Sequence, residues 1–183
     1  VLSFSYVPNY ESPSDSDKNN SYTVVVTVTD NGSLTDTQTL TVSVTDVNEA
    51  PVITSNSGGS SASISYAENN SSNVTTITST DVDASATSTY SISGTDANAF
   101  SINSSSGVLS FNFIPNYESP EDSDSDNSYE VIVIVTDTES LSDTQNLTII
   151  IVDVNEMPVI TSNGGGSSAS ISYAENSSSV VTT

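Results

Sequence analysis

The chain has 183 residues, of which 23 are acidic and one, Lys18, is basic, giving a formal net charge of −22. This balance excludes nucleic-acid binding, which needs Lys and Arg for phosphate contacts. It also leaves acidic clusters without an internal counter-charge, so they must recruit solvent cations or repel one another. Because cysteine and histidine are absent, disulfides, thiolate metal sites and histidine-based catalysis are excluded.

The apolar composition favours β-structure over helix. Hydrophobic residues make up 34 % of the chain, and most are Val, Ile and Tyr in short alternating runs, a pattern typical of strands. No apolar run approaches the roughly 20 residues of a membrane span, and no basic stretch opens the chain as a signal peptide requires. We therefore expect no membrane insertion in this segment. The internal repeat described below leads us to interpret the N-terminus as an interior cut.

Within residues 51–157, seven strand-like segments follow one another at the spacing typical of a β-sandwich. In chain order they cover residues 61–66, 73–79, 89–93, 99–103, 108–111, 128–136 and 142–152. The last two are nearly continuously apolar, which indicates central strands. The pattern predicts an all-β fold of seven-stranded Greek-key sandwiches with immunoglobulin-like architecture. The predicted core consists of Ile64, Ile77, Tyr90, Ile92, Phe100, Ile102, Leu109, Phe111, Tyr129, Val131, Val133, Val135, Leu141, Leu147, Ile149 and Ile151.

An internal repeat sets the domain organisation. Residues 1–76 align with residues 108–183 without a gap, at a constant offset of 107 residues. Matching pieces are VLSF at Val1 and Val108, PNYESP at Pro8 and Pro115, and SASISYAEN at Ser61 and Ser168. A period of this length is one sandwich-sized domain. We predict the C-terminal half of one repeat at 1–50, a complete repeat at 51–157 and the start of a third at 158–183, together a slice of a longer tandem array.

Acidic residues recur where the predicted strands end. The hexapeptide DVNEAP begins at Asp46 and DVNEMP at Asp153, each after the last strand of a repeat. Because the proline stops the strand and stiffens the entry to the next domain, we interpret each hexapeptide as an inter-domain linker. The other recurring acids are Glu68 and Glu175 in AEN, Glu11 and Glu118 in PNYE, Asp30 and Asp137 in VTD, and Asp81 and Asp83 in DVD.

Taken in this order and at domain spacing, these motifs resemble the repeats of cadherins, in particular the cadherin-like repeats of bacteria. The resemblance covers the whole chain and rests on AEN, DVD, NYE, VTD and DVNEAP together, since each motif alone is weak. It implies a seven-stranded Greek-key sandwich, calcium ions (Ca2+) at the junction between successive repeats, and neighbouring repeats of the same chain as partners.

The resemblance also implies two sets of calcium ligands. The first junction would take Glu11 from the upper repeat, Asp46, Asn48 and Glu49 from the linker, and Asp81, Asp83 and Asp137 from the lower repeat. The second junction would take Glu68, Glu118, Asp153, Asn155 and Glu156. By the same implication, Asp30 and Glu175 would serve junctions outside this segment.

Calcium also suits these side chains chemically. Ca²⁺ takes about six to eight oxygen ligands from carboxylates, amides and carbonyls. Zinc is disfavoured without His or Cys, and magnesium, which keeps its waters in a small octahedral shell, is the weaker competitor. The alternative is a solvated acidic hinge without specific ions. Animal cadherin linkers often end in Asp-Asn where this chain has Glu49 and Ala50, so we expect fewer or weaker ions here.

Two further patterns have structural interpretations. The stretch EDSDSDN, residues 121–127, resembles the opening of an EF-hand loop. Counted from Asp122, however, position six is Asn127 where the loop requires glycine, and position twelve is Val133 where it requires glutamate. We interpret it as a solvated acidic loop, with loose cation binding as the alternative. Tyr10, Tyr66, Tyr117 and Tyr129 fall at predicted core positions, so we expect packing there and not ligand stacking.

The predicted function is a calcium-stiffened structural and adhesion repeat, extracellular or at the cell surface, forming the stalk of an adhesin or the shaft of a surface filament. An enzyme is not expected, because no His, Cys or cluster of basic residues assists the carboxylates. The alternatives are a module for homophilic protein contacts or surface glycans, and a filament subunit assembled by strand exchange. The two partial repeats together lack the equivalent of residues 77–107, so they cannot complete each other.

Overall fold

The computed structural model describes residues 1–83, 87–178 and 180, and the chain forms two compact units, Val1–Val152 and Asp153–Thr183. All strands of the described residues lie in the first unit. In chain order they are β1 (Ser21–Thr29), β2 (Thr35–Ser43), β3 (Val52–Ile53), β4 (Ser61–Ala67), β5 (Thr75–Thr76), β6 (Ser79–Thr80), β7 (Thr89–Ser93), β8 (Phe100–Ile102), β9 (Val108–Phe111), β10 (Ser128–Thr136) and β11 (Ser142–Val152).

Residues 51–152 form a β-sandwich. One sheet has the strand order β4-β11-β10-β7, in which β4 and β11 are parallel and the other pairs are antiparallel. The strands β5, β9 and β8 form a three-stranded sheet, and β3 pairs with β6. Alternation along β10 buries Tyr129, Val131, Val133 and Val135, as expected for a strand with one face on the core. The predicted all-β fold is confirmed.

Aromatic rings fill the core next to β9 and β10. The Phe111 ring lies 4.4 Å from Phe100, 5.1 Å from Tyr129 and 5.3 Å from Tyr66, measured between ring centroids. Tyr66 and Tyr129 are buried, and this confirms two of the four predicted tyrosine positions. Tyr10 and Tyr117 are 40 % and 39 % exposed, so the prediction of core packing was wrong for them.

The strand predictions at 89–93, 108–111, 128–136 and 142–152 are confirmed. The single strand predicted at 73–79 was wrong, because this segment changes partner: β5 pairs with β9, whereas β6 pairs with β3. The short β3 after the linker was not predicted as a strand. Leu141 was wrongly placed in the core. It is 40 % exposed, because it belongs to the turn before β11, where its amide donates to Oδ1 of Asp137.

The β1–β2 hairpin repeats the β10–β11 hairpin. Its register runs from the Ser21–Ser43 pair to the Thr29–Thr35 pair, which is the β10–β11 register shifted by 107 residues. The inner faces differ in burial: Val26 is 44 % exposed, whereas the matching Val133 is fully buried. Among the described residues, the β1–β2 hairpin therefore has the strand pairing of β10 and β11 but not the burial of their inner face.

The second unit contains a 3-10 turn at Ser162–Gly164, and its described residues form no strand. Residues 168–174, which repeat the sequence of β4, are exposed there. Residues 179 and 181–183 of the predicted third repeat lie outside the described residues. In the described part of the chain, no helix has the length and apolar character needed to cross a membrane.

Candidate metal centre

The linker after β2 has no strand pairing and ends at Pro51, which is fully buried. The following strand, β3, is anchored by polar side chains of β11. The amide of Ile53 donates to Oδ2 of Asp143 at 2.8 Å. The buried Gln145 donates to the carbonyls of Gly58 and Gly59 at 3.2 and 3.1 Å. These contacts hold the start of the repeat in place. In the sequence, these contacts could have been suspected from the recurrence of TDTQ, residues 35–38, as SDTQ, residues 142–145.

Asp137 lies at the end of β10 and organises the turn to β11. Its Oδ1 accepts the amides of Glu139 and Leu141 at 2.8 and 2.9 Å. Its Oδ2 accepts a 2.7 Å hydrogen bond from the side-chain amide of Asn48 in the linker. The Asn48 hydrogen bond, together with those backbone amides, lowers the pKa of Asp137 against the opposing effect of burial. Asp30 makes the same turn bonds in the first hairpin.

Asp81 and Asp83 follow β6, and Asp83 contacts the linker. The amide of Asp83 donates to Oδ1 of Asp81 at 3.0 Å, which is the local turn that short acidic side chains favour. Oδ2 of Asp83 accepts the amide of Glu49 at 3.0 Å. The second carboxylate oxygen of Asp81, Oδ2, is buried and has no hydrogen-bond partner among the described residues.

Four carboxylates converge where the linker meets this turn. Glu11, Asp46, Glu49 and Asp83 each bring one oxygen to a position within 4.8 Å of the others. Oε1 of Glu11 is buried and has no hydrogen-bond partner among the described residues. Burial raises the pKa of Glu49, and the negative charges of Glu11, Asp83, Asp46 and Asp81 raise it further. The group is therefore destabilised by like charge unless a cation joins it.

The residues present fit a hard divalent cation. Two buried carboxylate oxygens, Oε1 of Glu11 and Oδ2 of Asp81, lack a donor, and such orphaned acceptors are rare in folded proteins. The chain has one basic side chain, Lys18, for 23 acidic ones, so lysine and arginine cannot neutralise this group of carboxylates. Oxygen-only ligands from several loops are the set that Ca²⁺ prefers.

The residues of the predicted second set belong to both units, Glu68 and Glu118 to the first and Asp153, Asn155 and Glu156 to the second. In the first unit, Glu68 is 2 % exposed, its Oε2 accepts the amide of Tyr117 at 2.9 Å, and a carboxylate oxygen of Glu118 lies within 4.8 Å of one of Glu68. In the second unit, oxygens of Asp153 and Glu156 lie within 4.8 Å of each other. Asn155 is exposed.

A third acidic group lies in the loop before β10. Oxygens of Asp122, Asp124 and Asp126 lie within 4.8 Å of one another. Asp122 is buried and accepts the amides of Asp126 and Asn127 at 2.7 and 3.2 Å, so it stabilises the loop conformation. The expectation of a solvated loop fits Asp124 and Asp126, which are exposed; for Asp122 it was wrong.

The family model of the cadherin domain matches residues 61–152 of the chain. Similar solved structures include the cis-dimer of protocadherin gammaB7 EC3-6, with 26 % identity, a TM-score of 0.55 and coverage of 82 % of this chain. Mouse cadherin-23 EC22-24 has 22 % identity, a TM-score of 0.54 and coverage of 78 %. This chain spans 37 % of the protocadherin chain and 45 % of the cadherin-23 chain. No curated protein sequence matches significantly.

Proposed function

The chain belongs to the cadherin domain family, and on that premise we propose that it is a structural repeat stiffened by calcium at its linkers. Cadherin domains are adhesion modules, typically extracellular, and not enzymes. The finer role proposed for this chain is mechanical: the stalk of an adhesin or the shaft of a surface filament. Neighbouring repeats of the same chain are its first partners.

The proposed repeat boundaries follow the linkers. Residues 1–50 are the C-terminal half of one repeat, 51–157 a complete repeat and 158–183 the start of a third. The matched registers of the two hairpins support this division. The family match at 61–152 lies within the proposed complete repeat.

The observation that carries the proposal is that two buried carboxylate oxygens, Oε1 of Glu11 and Oδ2 of Asp81, have no hydrogen-bond donor among the described residues. Glu11 belongs to the group of four converging carboxylates. Leaving a buried carboxylate oxygen without a partner costs free energy. A bound calcium ion supplies positive charge and coordination to several such oxygens at once. A purely solvated hinge would leave these two atoms accessible to water.

The proposed ligands of the first junction come from three places. Glu11 belongs to the upper repeat, and Asp81, Asp83 and Asp137 to the lower repeat. The linker provides Asp46, Asn48 and Glu49. At the second junction we propose Glu68, Glu118, Asp153, Asn155 and Glu156.

The negative charges of the proposed first-junction ligands make the stiffness of the linker depend on bound cations. Without a cation, the carboxylates of Glu11 and Glu49 repel that of Asp83, which favours separation of the upper repeat and the linker from the lower repeat. With the charges neutralised, the same side chains hold the linker against the lower repeat. Extracellular modules bind calcium with dissociation constants of about 10⁻⁴–10⁻³ M, so we place the repeat outside the cell or at its surface.

Calcium titration with small-angle scattering tests the proposal. We expect calcium to extend the scattering dimensions of the chain and to raise its melting temperature, and EDTA to reverse both changes. Magnesium at the same concentration should have a weaker effect. Unchanged dimensions and melting temperature in EDTA would refute the calcium-stiffened repeat and favour the solvated hinge.

A matched pair of variants localises the effect. Asp81→Asn/Asp83→Asn removes two negative charges from the proposed first junction and should mimic EDTA. Asp124→Asn/Asp126→Asn removes the same charge from the exposed loop before β10 and should leave the calcium response intact. An equal loss of response in both variants would show that calcium acts through net charge and not through the junction.

A further inference from the structure

The outer face of the sheet β4-β11-β10-β7 is almost uncharged. Its strands turn mostly Ser, Thr and Ile side chains outward, and among the described residues of this face Glu130 is the one charged side chain. Such a face contrasts with a chain that has 23 acidic residues. Because hydroxyl groups donate and accept hydrogen bonds without attracting ions, the face suits an uncharged polar ligand.

A cleft of about 290 Å³ interrupts this face where β7 ends. The pairing of β7 with β10 stops at Ser93, opposite Ile132, and Gly94 follows with φ of +110°. A Cβ at Gly94 would lie 3.2 Å from the carbonyl oxygen of Glu130, so glycine lets the chain pass close to β10. Past Ser93, no β7 residue pairs with β10, and the cleft opens there over β10 and β11.

The cleft lies wholly within the complete repeat. Its lining residues all fall between Gly94 and Thr148, so it uses no residue of the partial repeats proposed at 1–50 and 158–183. It also contains none of the proposed calcium ligands. The cleft is therefore a feature of one sandwich and is separate from the linkers.

Four polar side chains border the cleft, and Ile132 is the apolar residue among them. Thr95, Glu130 and Asn146 are exposed and Thr148 is half-buried. None of these four side chains makes a hydrogen bond to another residue of the part of the chain that the structure describes. Together they offer a carboxylate, an amide and two hydroxyls, which means donors as well as acceptors.

This set of groups selects among ligand classes. An anion is repelled by Glu130 and by the net charge of −22. A hard cation takes about six to eight oxygen ligands and usually several carboxylates, and this cleft has one. An apolar ligand would cover the carboxylate without replacing its hydrogen bonds to water. The hydroxyl groups of a neutral saccharide can pair with all four side chains.

Two of the four polar residues are particular to the complete repeat. Glu130 and Asn146 stand where the matching strands β1 and β2 have Thr23 and Thr39. The buried positions of β10 are the same residues as those of β1, shifted by 107. The strands thus keep their core and differ at the cleft. The first copy also supplies substitutions for Glu130 and Asn146 that suit these strands.

We propose that the cleft binds one ring of a neutral saccharide, with Glu130 and Asn146 as its principal hydrogen-bonding groups. The carboxylate accepts from ring hydroxyls, the amide of Asn146 both donates and accepts, and Ile132 contacts the C–H groups of the ring. The described lining contains no aromatic ring, so we expect weak binding at one repeat. A tandem array multiplies such contacts, which would make the repeat adhesive as well as mechanical.

The saccharide has two sources with the same chemistry. One is a neutral glycan on another surface. The other is a glycan attached to Asn146, since Asn146-Leu147-Thr148 has the Asn-x-Thr acceptor pattern. Attachment takes a polyprenyl diphosphate-linked oligosaccharide as donor: the Asn146 Nδ2 bonds to C1 of the sugar and loses a proton, the bond from C1 to the diphosphate oxygen breaks, and polyprenyl diphosphate leaves.

An NMR titration of the unglycosylated chain tests the cleft. The chain is made in bacterial cytoplasm, labelled with ¹⁵N, and titrated with methyl glycosides of glucose, galactose, mannose and N-acetylglucosamine. We expect at least one glycoside to shift the backbone amides of Thr95 and Ile132 in a saturable way. Because the cleft contains no proposed calcium ligand, the same shifts should appear in calcium and in EDTA.

Matched variants localise the binding. Glu130→Thr/Asn146→Thr installs the residues of the first copy and should weaken the affinity by about tenfold or more, since two hydrogen-bonding groups are lost. The control Asn31→Thr/Glu139→Thr makes the same chemical change at exposed turn positions and should bind like the unmodified chain. Equal affinities of the cleft variant and the unmodified chain would place the saccharide elsewhere and overturn the proposal.

Mass spectrometry of the chain secreted from eukaryotic cells separates the two sources. A glycan on the peptide that contains Asn146 should fill the cleft and suppress the shifts caused by free glycosides. Thr148→Val removes the acceptor pattern but keeps the Asn146 amide, so it should restore those shifts. An Asn146 that stays unmodified, with shifts from free glycosides, would assign the cleft to glycans of another surface.

Three results would refute the saccharide site. One is the absence of shifts with every glycoside together with an unmodified Asn146. Another is a glycan on Asn146 that leaves the shifts caused by free glycosides unchanged. The third is a methyl glucuronide that binds as tightly as its neutral counterpart, because Glu130 should repel its carboxylate. A calcium response without saccharide binding would refute this site alone and leave the calcium-stiffened repeat standing.

Discussion

The side-chain amide of Asn48 donates a 2.7 Å hydrogen bond to Oδ2 of Asp137, which ties the linker to a loop 89 residues further along the chain. The same carboxylate accepts two backbone amides of its own turn. One side chain therefore fixes both the β10–β11 turn and the path of the linker. In this way the entry to the complete repeat depends on the end of its hairpin.

A double-mutant cycle should detect this tie. We expect Asn48→Ala and Asp137→Asn each to lower the free energy of unfolding in EDTA, with a combined loss smaller than the sum, because both remove the same hydrogen bond. Urea unfolding of the four proteins measures the coupling. Strict additivity would show that the two side chains do not interact in solution.

The acid stability of the calcium-free repeat should depend on the same contact. The pKa of Asp137 is lowered in the folded state, chiefly by Asn48. A lowered carboxyl pKa contributes stability above its unfolded value, about 3.9, and this contribution is lost as the pH falls through the folded pKa. We expect the stability advantage over Asn48→Ala at neutral pH to shrink below about pH 4. A constant difference from pH 7 to the acid limit would contradict this linkage.

Several elements follow from the sequence alone for local reasons. The strands β10 and β11 were predicted at their observed bounds, because their apolar runs have strand length and are bounded by polar turns. The 73–79 segment was mispredicted, because its two halves pair with different strands, and partner choice is not a local property. The motifs DVNEAP, DVD and PNYE identified the carboxylates that lie near the linker. That Asn48 donates to Asp137, and that Oε1 of Glu11 is buried, depends on side-chain orientations set by the tertiary structure.

Gln145 should be important for the start of the repeat. It is fully buried and its amide donates to the carbonyls of Gly58 and Gly59. We expect Gln145→Leu to lower the free energy of unfolding by about 1–3 kcal/mol, because the carbonyls of Gly58 and Gly59 lose their donor and the side-chain amide of Asn56 loses its acceptor. The matched control is Gln38→Leu at the same position of the exposed β2, where a change within about 0.5 kcal/mol is expected. Equal effects in urea unfolding would show that the Gln145 contacts contribute nothing specific.

Tyr129 should make the complete repeat sensitive to alkali. Burial raises the pKa of its hydroxyl, against the lowering effect of the Glu121 amide that donates to it at 3.1 Å. A raised tyrosine pKa contributes stability below the unfolded value of about 10, which is lost as the pH rises through the folded value. We expect Tyr129→Phe to reduce the loss of stability above about pH 10, measured by urea unfolding at each pH. An identical alkaline profile in both proteins would assign the effect to other groups.

Gly107, in the turn between β8 and β9, should not tolerate a side chain. Its φ is +69°, and a Cβ would lie 2.2 Å from the carbonyl oxygen of Ile77. The Ile77 side chain is buried, which limits the movement of this carbonyl. The control is Gly59, with φ of +77° and no atom within 4 Å of a Cβ. Gly59→Ala should cost about 1 kcal/mol, the ordinary strain of an L-residue in this region. Gly107→Ala should cost several times as much, because backbone must move as well, and thermal unfolding of the two variants compares them. Equal melting temperatures would show that the β8–β9 turn relaxes freely around the added methyl group.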